Sequence, residues 1–118
     1  MTLTVQNARI IDPTEKLDLT ADIHIANGRV VGIGTSPEGF KADRQLDATG
    51  LIAAPGLVDI NVALCEPGYT RKGDIDTETL AAAAGGITSL CCPPHTRPVL
   101  DTTAVAELIL DRAREAGN

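Results

Sequence analysis

Pro55-Gly56-Leu57-Val58-Asp59-Ile60-Asn61-Val62-Ala63-Leu64-Cys65-Glu66-Pro67-Gly68 is the stretch on which the reading of this chain turns. Leu57 to Leu64 is almost continuously apolar, the pattern of a strand buried on both faces of a parallel sheet. A polar loop follows, from Cys65 to about Gly73. Asp74 or Asp76 can then cap a helix with an acidic first turn that runs through Leu80 and the Ala81 to Ala84 block. Gly85-Gly86 supplies its left-handed stop. Ile87 to Cys92 reads as a second buried strand, and Pro93-Pro94 ends it because neither residue can donate to a ladder. Asp101, Thr102 or Thr103 caps a second helix, with Val105, Leu108 and Ile109 as its apolar stripe and Gly117 at its end. Strand–loop–helix–strand–loop–helix is the opening of a parallel α/β fold.

Upstream the pattern is different. Thr2 to Ile11, Ala21 to Ile25, Arg29 to Ile33, Arg44 to Asp47 and Leu51 to Ala54 read as short strands. Asp12-Pro13 is a turn signal, and Asn27-Gly28 is a two-residue hairpin signal. The expectation is a small antiparallel β-sheet. Gly32-Ile33-Gly34 lacks the third glycine and following helix of a dinucleotide-binding fingerprint. The chain therefore divides into a β domain over 1–55 and an α/β segment over 56–118. Closing a (β/α)8 barrel takes eight such units, typically about 250 residues. Two are present, so either the chain is a piece of a longer protein or its units close on something else.

Composition narrows the function. Of 118 residues 43% are hydrophobic and 22% charged, an ordinary globular balance. Tyr69 and Phe40 are the only aromatics, which leaves little surface for stacking on bases or sugars. The net charge is −6 and the ten Lys and Arg are scattered, so there is no basic face for nucleic acid. No run approaches the roughly 20 apolar residues of a membrane span, and Met-Thr-Leu-Thr-Val is not a signal peptide. Three cysteines without a CxxC pair argue against a disulfide framework. A cytoplasmic protein is expected.

The quoted stretch resembles the signature of dihydroorotases, within the amidohydrolase superfamily, where it reads P-G-x-x-D-x-H-x-H-x-R-x-P-G. Ala82-Ala83-Ala84-Gly85-Gly86-Ile87-Thr88 is similar to the family's A-A-x-G-G-x-T, and Pro94-His95-Thr96-Arg97-Pro98 stands in the place of its P-N-T-x-P. Gly50 to Gly56 fits the passage from the small sheet into the barrel. The resemblance implies part of a composite β-sandwich over 1–55, then the first two units of a TIM-type barrel. It also implies a metal-dependent hydrolase that opens or closes the dihydroorotate ring in pyrimidine synthesis. Side chains two apart on a strand share a face, so the family's paired histidines can hold a divalent ion that supplies hydroxide near neutral pH. The following arginine and the asparagine after the second strand hold the substrate carboxylate, and further metal ligands come from later strands.

At four of these positions the chain departs from the family. The histidines are Asn61, a weak zinc ligand, and Ala63, which has no lone pair to give. The arginine is Cys65, which cannot form a bidentate fork to a carboxylate. The asparagine is His95. Asp59 remains, and reads as a buried acid bonded to backbone amides. The frame residues match while the chemical ones do not, which implies a fold kept and a chemistry lost. No catalytic, substrate-binding or metal-ligating residue is therefore expected, and no cofactor.

Other side chains carry less. His24, on the hairpin strand, reads as a surface residue. Cys91 and Cys92 point to opposite faces and read as small hydrophobes in a packed sheet. Cys65 and His95 both follow barrel strands, so they could meet as two ligands without clear further partners. Glu66 and Asp74 read as solvated loop carboxylates. The resemblance implies a non-catalytic member that assembles with the aspartate carbamoyltransferase catalytic chain. The alternative is a divergent cyclic amidohydrolase with a rebuilt metal site. Open strand edges and an uncovered apolar face also predict an oligomer, or an isolated piece of marginal stability.

Overall fold

The computed structural model describes residues 1–117 and divides the chain into two compact units, Met1–Pro55 and Gly56–Asn118. The first is a five-stranded sheet in which β3, β2, β1 and β4 are neighbours in that order. Strand β1 (Thr2–Asp12) turns at Pro13 into β2 (Leu17–Ala26), and Asn27-Gly28 turns β2 into β3 (Arg29–Ile33), both pairings antiparallel. Asn27 and Gly28 sit at φ 51° and 73°, the left-handed values that a tight hairpin demands and that Asn and Gly tolerate.

The sheet is mixed, which corrects the expectation of an antiparallel one. Strands β4 (Arg44–Asp47) and β5 (Ile52–Ala53) both lie parallel to β1, with Leu3 opposite Arg44 and Ile10 opposite Ala53. The connection from Gly34 to Asp43 is too long for a hairpin and carries the chain back across the sheet, which a parallel neighbour requires. Asp43 pins its end: the Thr2 amide donates to Asp43 Oδ2 at 2.7 Å and the Asp43 amide donates back to the Thr2 carbonyl at 3.2 Å.

His24 is also corrected. It is buried, not on the surface, because it faces Thr4 across the β1–β2 ladder. Its Nε2–H donates to the Gly34 carbonyl at 3.3 Å, which in the neutral ring leaves Nδ1 to accept from Thr4 Oγ1 at 3.2 Å. Phe40 meets the ring edge-on, with centroids 5.2 Å apart. The imidazole is thus a hydrogen-bonded polar member of this unit's interior, whose buried residues also include Ala8, Ile10 and Ala48.

In the second unit β6 (Leu57–Asp59) pairs in parallel with β7 (Ile87–Leu90), and α1 (Ile75–Ala84) connects them. After β7 the chain enters α2 (Thr103–Ala116). The expected strand over Leu57 to Leu64, buried on both faces, is shorter and more exposed than that. Two further bonds, from the Cys91 amide to the Asp59 carbonyl and from the Val62 amide to the Cys91 carbonyl, extend the pairing without regular strand geometry. Leu57, Val58 and Ile60 are 61%, 66% and 79% exposed. Among the described residues β6 pairs with β7 alone, and Leu57 and Val58, on its two faces, are both open; helix cover begins only with Val62 and Leu64 beyond it. The covered face carries the core: Leu64, Ile75, Val105 and Ile109, with Val62, Leu90 and Cys92 packed against them. Leu108 of the expected α2 stripe is 41% exposed.

Both helices start as the sequence predicts. Asp74 caps α1 by accepting from the Thr77 amide at 2.8 Å, while Thr77 Oγ1 accepts from the Asp74 amide, a reciprocal capping box. Thr102 caps α2, and Gly117, at φ 71°, closes it. Of the two glycines after α1, Gly85 stays right-handed and Gly86, at φ 83°, makes the left-handed turn into β7.

Candidate functional site

Alternation along the segment after β6 sorts its side chains. Val62 and Leu64 turn to the helix core, whereas Asn61 and Ala63 are exposed on the other side. Asp59 is half-buried at the end of β6, and its Oδ1 accepts from the Asn61 amide at 2.9 Å. It ties the backbone at the point where ladder geometry lapses, which is narrower than the fully buried acid expected.

Cys65 then adopts φ 63°, a left-handed value rare for a residue with a side chain, and reverses the chain into the loop. Successive turns follow: the Tyr69 amide donates to the Cys65 carbonyl and the Lys72 amide to the Tyr69 carbonyl, each at 2.8 Å. Glu66 anchors the loop from beneath. Its Oε2 accepts from the Ile75 amide in the first turn of α1 at 3.2 Å, and its Oε1 lies 3.8 Å from Arg112 Nε of α2. Glu66 is therefore a structural carboxylate at a helix N-terminus rather than a solvated loop acid, while Asp74 caps the same helix from the solvent side. Hydrogen bonds from the Thr77 amide and then the Thr77 hydroxyl hold the Asp74 carboxyl below its ordinary value.

The loop after β7 meets this one closely. The Arg97 amide donates to the Pro67 carbonyl at 2.9 Å, and a side chain on Gly68, at φ 103°, would collide with the Arg97 backbone. Gly56 likewise lies against the Thr88 side chain, with no room for a Cβ. The glycines of the first motif are thus spaces filled by residues of the other two.

Between the two loops lies a cavity of about 290 Å³. Ala63, Leu64 and Cys65 line it from the segment after β6, Tyr69 and Lys72 from the loop, and Cys92, Pro93, His95 and Thr96 from the segment after β7. Cys65 and His95 thus share one cavity, while Asn61 does not line it. Tyr69, Lys72 and Thr96 were not singled out in the sequence, and the first two lie in a loop without periodic signal. Cys91 is exposed rather than packed, because the face of β7 opposite the helices has no cover; Cys92 is half-buried.

The family's metal does not fit the residues at its first two positions. Ala63 has no donor and Asn61 offers only an amide oxygen. No cluster of three or more His, Cys, Asp or Glu suited to a metal ion forms among the described residues. No helix among them is long and apolar enough to cross a membrane.

Comparison with known proteins places this geometry. Residues 50–118 match the family model described as dihydro-orotase-like. The whole chain is 66% identical to a dihydroorotase-like protein of Pseudomonas aeruginosa and 63% identical to one of Pseudomonas putida, in each case covering 28% of the relative. A dihydroorotase of Solibacter usitatus is 43% identical over 97% of the chain, which covers 26% of that protein. The chain thus spans under a third of the length of these relatives. Among solved structures, L-hydantoinase from Arthrobacter aurescens superposes with a TM-score of 0.82 at 28% identity, over 94% of this chain and 24% of that one. A D-hydantoinase gives a TM-score of 0.71 at 28% identity, over 96% and 24%. With the motif glycines seated against their partners and the family model spanning the α/β unit, the chain belongs to the dihydroorotase-like family.

Proposed function

We propose that this chain is the N-terminal part of a non-catalytic dihydroorotase-like protein of pyrimidine biosynthesis, built on the opening of a (β/α)8 barrel, which serves as a structural partner of aspartate carbamoyltransferase. One observation carries the loss of catalysis. The frame that would present a metal pair is assembled, with Gly56 against Thr88 and Gly68 against Arg97, yet the exposed face offers Asn61 and Ala63 in place of two imidazoles. Replacing both ligands removes the hydroxide source and the polarisation of the amide together. The carbamoyltransferase part of the reading comes from the family resemblance.

Two measurements on the full-length protein test this. Elemental analysis with a dihydroorotase assay is expected to give no divalent metal at Asn61 and Ala63 and no turnover. Stoichiometric zinc with turnover would replace this reading by a divergent cyclic amidohydrolase with a rebuilt site. Co-purification with the aspartate carbamoyltransferase of the same source is expected to yield a complex. Failure to change that enzyme's assembly or activity on mixing removes the partner role.

A further inference from the structure

We propose that Asn27-Gly28 is a modification site, where the Asn27 side-chain amide is lost through a cyclic imide and the chain is rejoined as an isoaspartyl link that loosens β3. The inference is independent of the catalytic and partner readings.

The chemistry needs an exposed side-chain amide, a following backbone nitrogen free to attack it, and no bulk between them. Asn27 and Gly28 are both exposed. No hydrogen bond among the described residues engages the Asn27 side chain. The Gly28 nitrogen sits between Ala26 and Arg29, the first pair of the β2–β3 ladder, and takes no part in that ladder. A Cβ placed on Gly28 would meet nothing within 4 Å, so the pair is open to solvent. The other described asparagines lack this combination. Asn7 precedes Ala8, which is fully buried, and Asn61 precedes Val62, whose amide donates to the Cys91 carbonyl at 3.0 Å.

A solvent base takes the Gly28 amide proton, and the nitrogen attacks Asn27 Cγ. The Cγ–Nδ2 bond breaks, and the amide nitrogen takes up a proton and leaves as ammonia, closing a succinimide. Water then adds to one of the two imide carbonyls. Opening at Cγ gives aspartate. Opening at the main-chain carbonyl gives isoaspartate, with the chain running through Cβ and Cγ. In sum a water is consumed and an ammonia released, with no oxidant or reductant, and a negative charge is gained either way.

Geometry sets the pace. At φ 51° and 73° the turn holds the Gly28 nitrogen away from Cγ, so the tip must open before the ring can close. The structure makes that opening easy. Two pairs, Ala26 with Arg29 and Ile25 with Val30, hold the tip before the register shifts at His24. Val30 is 58% exposed, so little burial opposes the opening. Among the described residues β3 ends its sheet and pairs with β2 alone.

The isoaspartyl link adds a backbone methylene to a two-residue turn whose length sets the register. The pairing of Ala26 with Arg29 cannot then re-form in place. Strand β3 leads to Gly34, whose carbonyl accepts from the buried His24, so the loosening reaches the interior of this unit.

The full-length protein is incubated at neutral pH and physiological temperature beside a synthetic peptide spanning residues 22–33. Isoaspartate is counted by methyl transfer from S-adenosylmethionine with an isoaspartyl carboxyl methyltransferase, and placed by peptide mapping. It is expected at position 27, forming no more than about a hundredfold slower than in the peptide, since global unfolding opens only about one molecule in a thousand or fewer. A slower rate, or isoaspartate chiefly at Asn7 or Asn61, overturns the proposal. Asn27→Gly keeps the left-handed turn and should form none there; an undiminished signal in it also overturns the proposal. Freshly prepared Asn27→Asp carries the added charge without the added methylene and should unfold in urea like the wild type. The aged isoaspartyl form should unfold at lower urea, with faster hydrogen exchange at the amides of β3. If it unfolds like Asn27→Asp, the loosening of β3 is wrong.

Discussion

Removing the Glu66 carboxylate is expected to loosen the loop that walls the cavity, and the structure says which of its two contacts matters. One oxygen accepts the Ile75 amide, an N–H of the first turn of α1 that has no partner within the helix. A hydrogen bond to a charged group contributes about 1.5–3 kcal/mol, and a negative charge at a helix N-terminus is favourable as well. The other oxygen lies 3.8 Å from an Arg112 whose side chain is 52% exposed, and half-exposed pairs of that kind are worth about 0–1 kcal/mol. Glu66→Ala should therefore cost about 1.5–3 kcal/mol, and Arg112→Ala less than about 1. Glu66→Gln keeps an oxygen acceptor and should fall between them. The full-length protein exposes more surface on unfolding than a small domain, so its urea slope exceeds the roughly 1–3 kcal/mol per molar of small proteins, and Glu66→Ala should lower its unfolding midpoint by less than about 1 M. The reasoning is refuted if Arg112→Ala proves as costly as Glu66→Ala, or if Glu66→Ala is neutral.

Restoring Asn61→His and Ala63→His together should not produce dihydroorotase turnover, because Cys65 and His95 still stand at the family's carboxylate-holding positions and orientation is a large part of catalysis; a steady-state assay of the double variant in the full-length protein checks this. Ile75→Ala should destabilise the second unit by about 2–5 kcal/mol, since Ile75 is 1% exposed at the centre of its core, and chemical denaturation reads it. For pH, the depressed Asp74 carboxyl gives a stabilising contribution that is fully present above its ordinary value of 3.8 and is lost as the pH falls through its lower folded value. Asp74→Asn should flatten that acid limb in unfolding curves measured across the window.

The parts of this fold that could be read in the sequence are those decided within a few residues. Asn27-Gly28 makes its hairpin, and Asp74, Thr102 and Gly117 begin and end helices, because a side chain three positions away or a left-handed φ settles each. The parallel placement of β4 and β5 was not legible, because it depends on where the loop from Gly34 to Asp43 sets the chain down. Burial of His24 depended on Thr4, twenty positions earlier, being its cross-strand neighbour. At the site, the replaced motif residues were visible one by one. Tyr69, Lys72 and Thr96 acquire meaning only once Arg97 closes on Gly68 and two loops share a cavity.

The alternation after β6 also bears on how this chain can change over time. Val62 and Leu64 carry the packing, while Asn61 and Ala63 face away from it, so substitutions at the latter two are almost decoupled from folding. Exposed substitutions usually shift stability by no more than about 0.5 kcal/mol, whereas emptying a core position costs several times that. A lineage can therefore exchange what that face presents, in either direction, without crossing a folding threshold. The tight seats of Gly56 and Gly68 cannot drift in the same way, because any added side chain has to displace a neighbouring strand or loop. Two rates of change are thus written into a single stretch, according only to which way each residue points.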